Sequence, residues 1–429
     1  MTITNIPNRV EILKQKFTNS LGLPFRDLLL ESTIREALNA ENLSYRRRLF
    51  DPFVTLWVFL SQVLDTDKTC HNAVSRVITW LASVDAEIPS VDTSAYCQAR
   101  KRLPENLLSR LFANVARDLG YQVTSEHLWC GRHVKVVDGS TVSMPDTLEN
   151  QAAYPQPSSQ AFGCGFPIAK IGALFSIATG AAVAVVVDVL NIHDIKLARL
   201  LYQFLNPGDV LLGDCAFCSY ADLIFIQNYN CDAIFRLSQA RKNQVERCRR
   251  KPISSFESIE VWRKPSTRPK GLTPEEFTSI PKTLTVRVIK YYIPSPGYRT
   301  KYVILVTTLL DPEIYPTTEI MRLYGQRWEV ELDLKHLKTT LGMDVLRGKT
   351  PQMVRKEIYA YLLAYNLLRT VMWEAGTTHK VDPLRLSLQG ARQHLDNFIP
   401  QLAWASNKKR VQLYQTLLKT IVHKSDFSR

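Results

Sequence analysis

The chain has 429 residues, 45% hydrophobic and 10% aromatic, a composition that excludes a disordered chain and a length beyond the roughly 250–300 residues of one ordinary core. Fifty-four Lys and Arg against 40 Asp and Glu give a net charge of +14 and a pI near 9.4, which favours a polyanion such as nucleic acid as partner, with a basic protein that is merely soluble as the alternative. The opening MTITNIPNRVEILKQKF lacks the apolar run of a secretory signal, so a cytoplasmic location and reduced thiols for the eight cysteines are the expectation.

Up to about Trp129 the pattern is helical, interrupted by the basic clusters Arg46-Arg47-Arg48 and Arg100-Lys101-Arg102. In SAYCQARKRLPENLLSRLF one helix stops before Pro104 and another begins. Residues 1–130 therefore read as a helical DNA-binding region, with solvated basic faces as the alternative. From His133 the period becomes extended. HVKVVDGSTVSM, FPIAKIGALFSIA and AAVAVVVDVL read as strands, HDIKLARLLYQFL as a helix, DVLLGDCAF as a strand, YADLIFIQNYN as a helix and DAIFRLS as a strand. That β-β-β-α-β-α-β order over 131–238 is the order of a ribonuclease-H-like sheet. The uncharged run 171–187 is short for a membrane span, and Thr179-Gly180 at its middle makes it two buried strands with a tight turn.

Residues 239–310 break this rhythm. Eleven Lys or Arg against three Glu lie between Arg236 and Lys270, then LTVRVIKYYI and KYVILVTTL read as strands separated by a PSPG turn. A β-rich insertion with a basic surface that tracks phosphates is expected, with a solvated loop as the alternative. Residues 311–345 return to the core, and 346–429 are helical, with MVRKEIYAYLLAYNLLRTVMWEAG ending at Gly376. The fold class is thus α/β: a ribonuclease-H-like core with a β-rich insertion, flanked by helical N- and C-terminal modules. Cys215 and Cys218 form a C-x-x-C without a second close pair, so buried inert thiols are preferred to structural zinc.

Two-metal phosphoryl transfer needs carboxylates converging from different elements. Asp138 ends the apolar VKVVD, Asp214 ends VLLGD, and Glu331 lies in YGQRWEVELDLKHLK. Each has another reading: Asp138-Gly139 as a hairpin turn, Asp214 as a helix cap, Glu331 as a surface residue. If the first and fourth strands are parallel neighbours, the two Asp meet at one crevice. On a helix, Tyr324, Arg327, Glu331, Lys335 and Lys338 fall within roughly 40° of Glu331 at about 100° per residue. Leu334, Leu341, Val330 and Leu337 flank this stripe on one side, Trp328 and Leu332 on the other, and Glu329, Asp333 and His336 lie opposite. Charges between apolar flanks point into a cleft, with a carboxylate for metal and cations for phosphate.

These residues resemble the DDE transposases of bacterial insertion sequences, in particular the family of insertion sequence four. Its signature of Tyr, two residues, Arg, three residues, Glu, six residues, Lys is complete here as Tyr324, Arg327, Glu331 and Lys338. VVDGSTVSMPDTLEN and LLGDCAF resemble the family's two Asp regions, and AYLLAYNLLR its C-terminal helix. The resemblance implies a catalytic, metal-binding triad of Asp138, Asp214 and Glu331, with Tyr324, Arg327 and Lys338 on DNA phosphates; Lys335 joins them by position on the stripe. It implies two Mg²⁺ ions, with Mn²⁺ as substitute. The partners would be double-stranded DNA, both terminal inverted repeats and target, bound by a homodimer that synapses two ends near the bacterial nucleoid, with no membrane. The expected reaction is cleavage at insertion-sequence ends and strand transfer; the alternative is an inactive end-binding regulator.

Overall fold

The computed structural model describes residues 28–42, 45, 48–83, 85–161, 163–238, 247–292 and 302–423, with backbone alone at 247, 248, 328–333, 403, 404 and 407. The opening segment, Arg46 and Arg47, Arg241 and Lys242, and the PSPG turn lie outside the described residues.

The N-terminal part is helical, as its pattern predicts: α1 (Glu31–Ala40), α2 (Pro52–Leu64), α3 (Cys70–Ala82), α4 (Ser94–Arg102) and α5 (Glu105–Gly120). Asp51 caps α2 ahead of Pro52, and the chain breaks at Pro104 between α4 and α5. The cluster at Arg100-Lys101-Arg102 is not one basic face. Arg100 turns inward over the rings of Phe59 and Tyr96, 5.1 and 5.2 Å away, and bonds the side-chain oxygen of Gln62, while Lys101 and Arg102 are exposed.

Strands β1 (Val134–Ser143), β2 (Ile168–Ser176), β3 (Ala182–Val189), β4 (Val210–Gly213) and β5 (Asp232–Arg236) follow the expected order, with α6 (Leu148–Ala153), α7 (Asp194–Arg199) and α8 (Tyr220–Asn228) between them. β1 does not end at Asp138; it runs five residues further, paired with β2 throughout. Run 171–187 forms two strands about a turn in which Gly180 has φ +67°. Glycine is required there, because a Cβ would meet the Arg369 guanidinium at 2.8 Å.

The insertion supplies β6 (Arg247–Ser254), β7 (Glu257–Arg263), α9 (Pro274–Ser279), β8 (Thr283–Tyr292) and β9 (Tyr302–Thr307). Its strands are not a separate sheet. β9 pairs with β5, giving one nine-stranded sheet in the order β3-β2-β1-β4-β5-β9-β8-β7-β6. The outermost strand, β6, holds Arg249, Arg250, Lys251 and Pro252, all exposed, which also discourages edge-to-edge pairing.

The chain closes with α10 (Thr317–Lys335), a π turn over His336–Thr340, α11 (Pro351–His379), α12 (Leu388–Trp404) and α13 (Asn407–His423). α11 is buried along most of its length and packs on α2, α5 and α13, so the flanking helices from both ends of the chain pack together on one sheet face. Its Asn366 bonds both N–H and C=O of Ala182, and its Tyr365 hydroxyl donates to Gly180. Gly376 does not end α11. A Cβ there would meet the Val381 carbonyl at 2.7 Å, so the glycine admits the returning chain, and Lys380 takes the left-handed cap at φ 57°. The opposite sheet face is covered by α7, α8 and the strap around Leu272 and Phe277.

Candidate active site

β1 and β4 are parallel neighbours, paired Val134 with Val210, Lys135 with Leu211 and Val136 with Leu212. The pairing ends there; two residues further on come Asp138, within β1, and Asp214, one residue past the end of β4. The condition for the two carboxylates to meet is therefore fulfilled. Both lie on one face: Val134, Val136, Val210 and Leu212 point into the helical layer and Val137 and Leu211 away from it, and side chains alternate along a strand. The burial of β1 falls at Asp138, beyond its last pair with β4, where a crevice opens.

The alternative roles of the two Asp are not taken up. Asp138 lies within β1 rather than in a hairpin turn, and its Oδ1 accepts from the N–H of Gly139 at 2.8 Å. Asp214 caps no helix; its Oδ1 accepts from Ala216 N–H at 2.6 Å, and Ser219 caps α8 instead. Each of these bonds engages one carboxylate oxygen.

α10 crosses this face, packing on both β1 and β4. Tyr324 is 3% exposed and its hydroxyl makes a long bond of 3.5 Å to the carbonyl of Gly213, beside Asp214. Arg327 is 5% exposed with its guanidinium 5.6 Å from the Tyr324 ring centre. Burial pushes the Tyr324 phenol well above its usual value, with Arg327 and Arg236 pulling it back and Asp214 adding to the rise. It stays a neutral hydroxyl, suited to binding and not to attack. Glu331 stands two turns further along α10, roughly 10 Å along its axis; its side chain lies outside the described residues, as do those of Trp328, Glu329, Val330, Leu332 and Asp333. The backbone beyond returns to β1, where Ser143 N–H donates to Asp344 C=O at 2.9 Å. Position 331 thus falls between an anchor at Gly213 and one at the end of β1.

The stripe splits at its C-terminal end. Leu334, Leu337 and Leu341 are buried as expected, but Lys335 is exposed, Lys338 half-buried and His336 half-buried rather than wet. Beyond Lys335 the count of 100° per residue fails because Leu341 N–H bonds His336 C=O, an i to i+5 π turn that rotates less per residue.

Position adds two residues that the sequence reading missed. β5 lies parallel to β4 with Gly213 opposite Phe235, so Arg236 is level with Asp214, on the face of Ile234. Tyr291 of β8 is near Arg236 and Arg327, which pull down a phenol raised chiefly by burial. The signal was present, since Arg236 ends the apolar strand DAIFR as Asp214 ends VLLGD. Among the described residues no cluster of three His, Cys, Asp or Glu could hold a metal. Cys218 and Cys231 are buried as expected and Cys215 is half-buried, but Cys130 and Cys164 are exposed. No described helix is long and apolar enough to cross a membrane.

Residues 129–367 match the transposase DDE domain family. The transposase InsG for insertion sequence element IS4 of Escherichia coli (strain K12) is 25% identical over 372 residues, 86% of this chain and 79% of the relative. The transposase for insertion sequence element IS421 of Escherichia coli is 37% identical over 71 residues, 17% of this chain and 19% of its own length. A solved piggyBac transposase synaptic complex with hairpin DNA overlays at TM-score 0.45 and 11% identity, covering 94% of this chain and 85% of that one. Because the transposase DDE domain match covers residues 129–367, more than half of the chain, the chain belongs to the DDE transposases: it is a DNA-cleaving and strand-transferring enzyme of divalent-metal chemistry.

Proposed function

We propose that Asp138, Asp214 and Glu331 form the metal-binding catalytic triad of this transposase, and that it cuts at insertion-sequence ends and transfers the freed strand to target DNA. The observation that supports this reading is the parallel pairing of β1 with β4, which ends two residues before Asp138 and Asp214, together with the packing of the helix that bears Glu331 on both strands. Hard carboxylate oxygens converging on one crevice suit Mg²⁺, with Mn²⁺ as substitute, and three carboxylates suffice for two ions. Such ions would supply activation of the attacking hydroxyl and stabilisation of the leaving oxygen.

The chain's own residues would bind and orient. Arg327, held rigid by burial against Tyr324, would clamp a phosphate near the carboxylates, and Tyr324 would donate or stack as a neutral phenol. Lys338, and Lys335 on the open side of the helix, would hold phosphates further along the strand. The helical region 1–130 and the basic insertion 239–310 would extend the contact along terminal repeats, and a homodimer would pair two ends.

Single alanine variants at Asp138, Asp214 and Glu331 test the triad. Each should lose cleavage of a duplex carrying the inverted repeat that borders the gene, yet bind it as the parent does. Full cleavage by any one of them overturns its assignment. Gel filtration of the protein with two such duplexes tests the dimer.

A further inference from the structure

The sheet face turned away from the crevice holds a cavity of about 960 Å³, within the roughly 300–1,000 Å³ of small-molecule sites. Its walls come from α7, the first turn of α8, the end of β7 and the strap of residues 264–280. The strap is held in place by two bonds: Arg199 Nη1 donates to the Gly271 carbonyl at 2.7 Å, and Lys264 Nζ to the Ile280 carbonyl at 3.1 Å. Gly271 takes φ +98°, and a Cβ there would meet Lys196 Cε at 3.0 Å, so the strap passes against the stem of Lys196. Leu237, Trp262, Leu272 and Ile280, all buried, supply the apolar lining, joined by the half-buried rings of Tyr220 and Phe277.

We propose that this cavity binds a nucleoside phosphate, with the base against the apolar lining and the phosphate at Lys196 and Lys270. Five of the lining residues are Lys or Arg and, among the described residues, none is Asp or Glu. Two of the five serve the walls. Arg199 forks onto Asp222 with two bonds of 2.8 Å, and Lys264 lies over the Phe277 ring, 4.4 Å from its centre. Lys196 and Lys270 are exposed, and among the described residues neither forms an ion pair. Lys270 precedes the glycine that lies against Lys196, so the two ammonium-bearing chains leave α7 and the strap at one edge of the cavity. Two such cations bind a phosphate as point charges. A bare phosphate would leave the apolar lining unused, whereas a base has a π-face that any aromatic ring accepts. The site does not depend on the roles of Asp138, Asp214 or Glu331.

The test is calorimetric titration of the full-length protein with deoxyadenosine monophosphate, deoxyadenosine and inorganic phosphate, free of divalent metal so that no ion at the crevice captures the phosphate. The monophosphate should bind, and the nucleoside and inorganic phosphate should each bind roughly tenfold or more weakly, since each lacks one half of the contacts. The double variant Lys196→Glu with Lys270→Glu should weaken the monophosphate roughly 10–100-fold at an unchanged melting temperature. If charge reversal disturbs the fold, Lys196→Gln with Lys270→Gln supplies the same reading. Photolabelling with the azido derivative of the monophosphate should mark peptides within 191–199, 218–221 or 262–280. Absence of nucleotide binding, parental affinity in the double variants, inorganic phosphate binding as tightly as the monophosphate, or label confined to other peptides overturns the proposal. Competition for the label separates the two sources of such a ligand. A short single-stranded oligodeoxyadenylate that displaces it at lower concentration than the monophosphate supports the site as one for an unstacked nucleotide of DNA; the reverse order supports it as one for a free nucleotide.

Discussion

In the insertion half of the sheet, Arg287 is fully buried and its guanidinium is closed by Glu257, the Tyr315 carbonyl at 2.7 Å and the Thr317 hydroxyl at 3.0 Å. In the core half, Asp138, Asp214 and Arg236 form a row along the crevice beyond the last β1–β4 pair, with Asp138 Oδ1 accepting from Gly139 N–H and Asp214 Oδ1 from Ala216 N–H. The two arrangements lie on one continuous sheet and serve one helix. The closed network holds the start of α10, through Thr317 and its bond to Glu257 at 2.6 Å; the open row lies beneath its middle. A buried charge satisfied by protein fixes an element, whereas charged side chains at a crevice where strand pairing ends are placed to meet a ligand.

The largest effects should come from the open row. Asp138→Ala or Asp214→Ala should reduce end cleavage by roughly 10³-fold or more while the urea midpoint stays near the parent's. A large loss of stability in either would place the aspartates with Arg287 as structural charges. Conversely, Arg287→Ala should lower unfolding free energy by about 3–5 kcal/mol, because Glu257 is left buried and unpaired; denaturant titration reads this, and an unchanged midpoint would remove the contrast between the halves. Asn366→Ala, which strips both bonds from Ala182, should cost about 1–3 kcal/mol. The smallest effect belongs to the half-buried Lys338. Lys338→Ala should leave stability alone and flatten the salt dependence of end binding by about 1, and a parental slope would argue against a phosphate contact there.

Much of this was legible in the chain. Alternating apolar runs give the order of β1 to β5, and Asp138 and Asp214 each follow an apolar run of the two strands that pair in parallel. Tyr324, Arg327, Leu334 and Leu337 are buried as the helical period requires. Other features depend on partners distant in sequence. Nothing local in the sequence marks the π turn over His336–Thr340, and with it the shift of Lys338. Gly376 reads as a helix end until Val381 is seen to return against it. Arg236 was hidden in a count of basic residues, since its meaning lies in the pairing of β5 with β4. The helices at the two ends of the chain pack together around α11, whose broad apolar face the sequence shows and whose burial on most sides comes from neighbours α2 and α5 that only the fold supplies.

The central claim is that Asp138, Asp214 and Glu331 hold the same metal ions. Replacing Mg²⁺ by Fe²⁺ and adding ascorbate and peroxide generates hydroxyl radicals at the bound ion, which cut the polypeptide nearby irrespective of transposition. Mass spectrometry of the fragments should find cuts clustered around positions 138, 214 and 331, suppressed by excess Mg²⁺ and absent from Asp214→Ala. Cuts clustered elsewhere, or a pattern at these three positions that Asp214→Ala leaves unchanged, would contradict a metal centre built from these carboxylates.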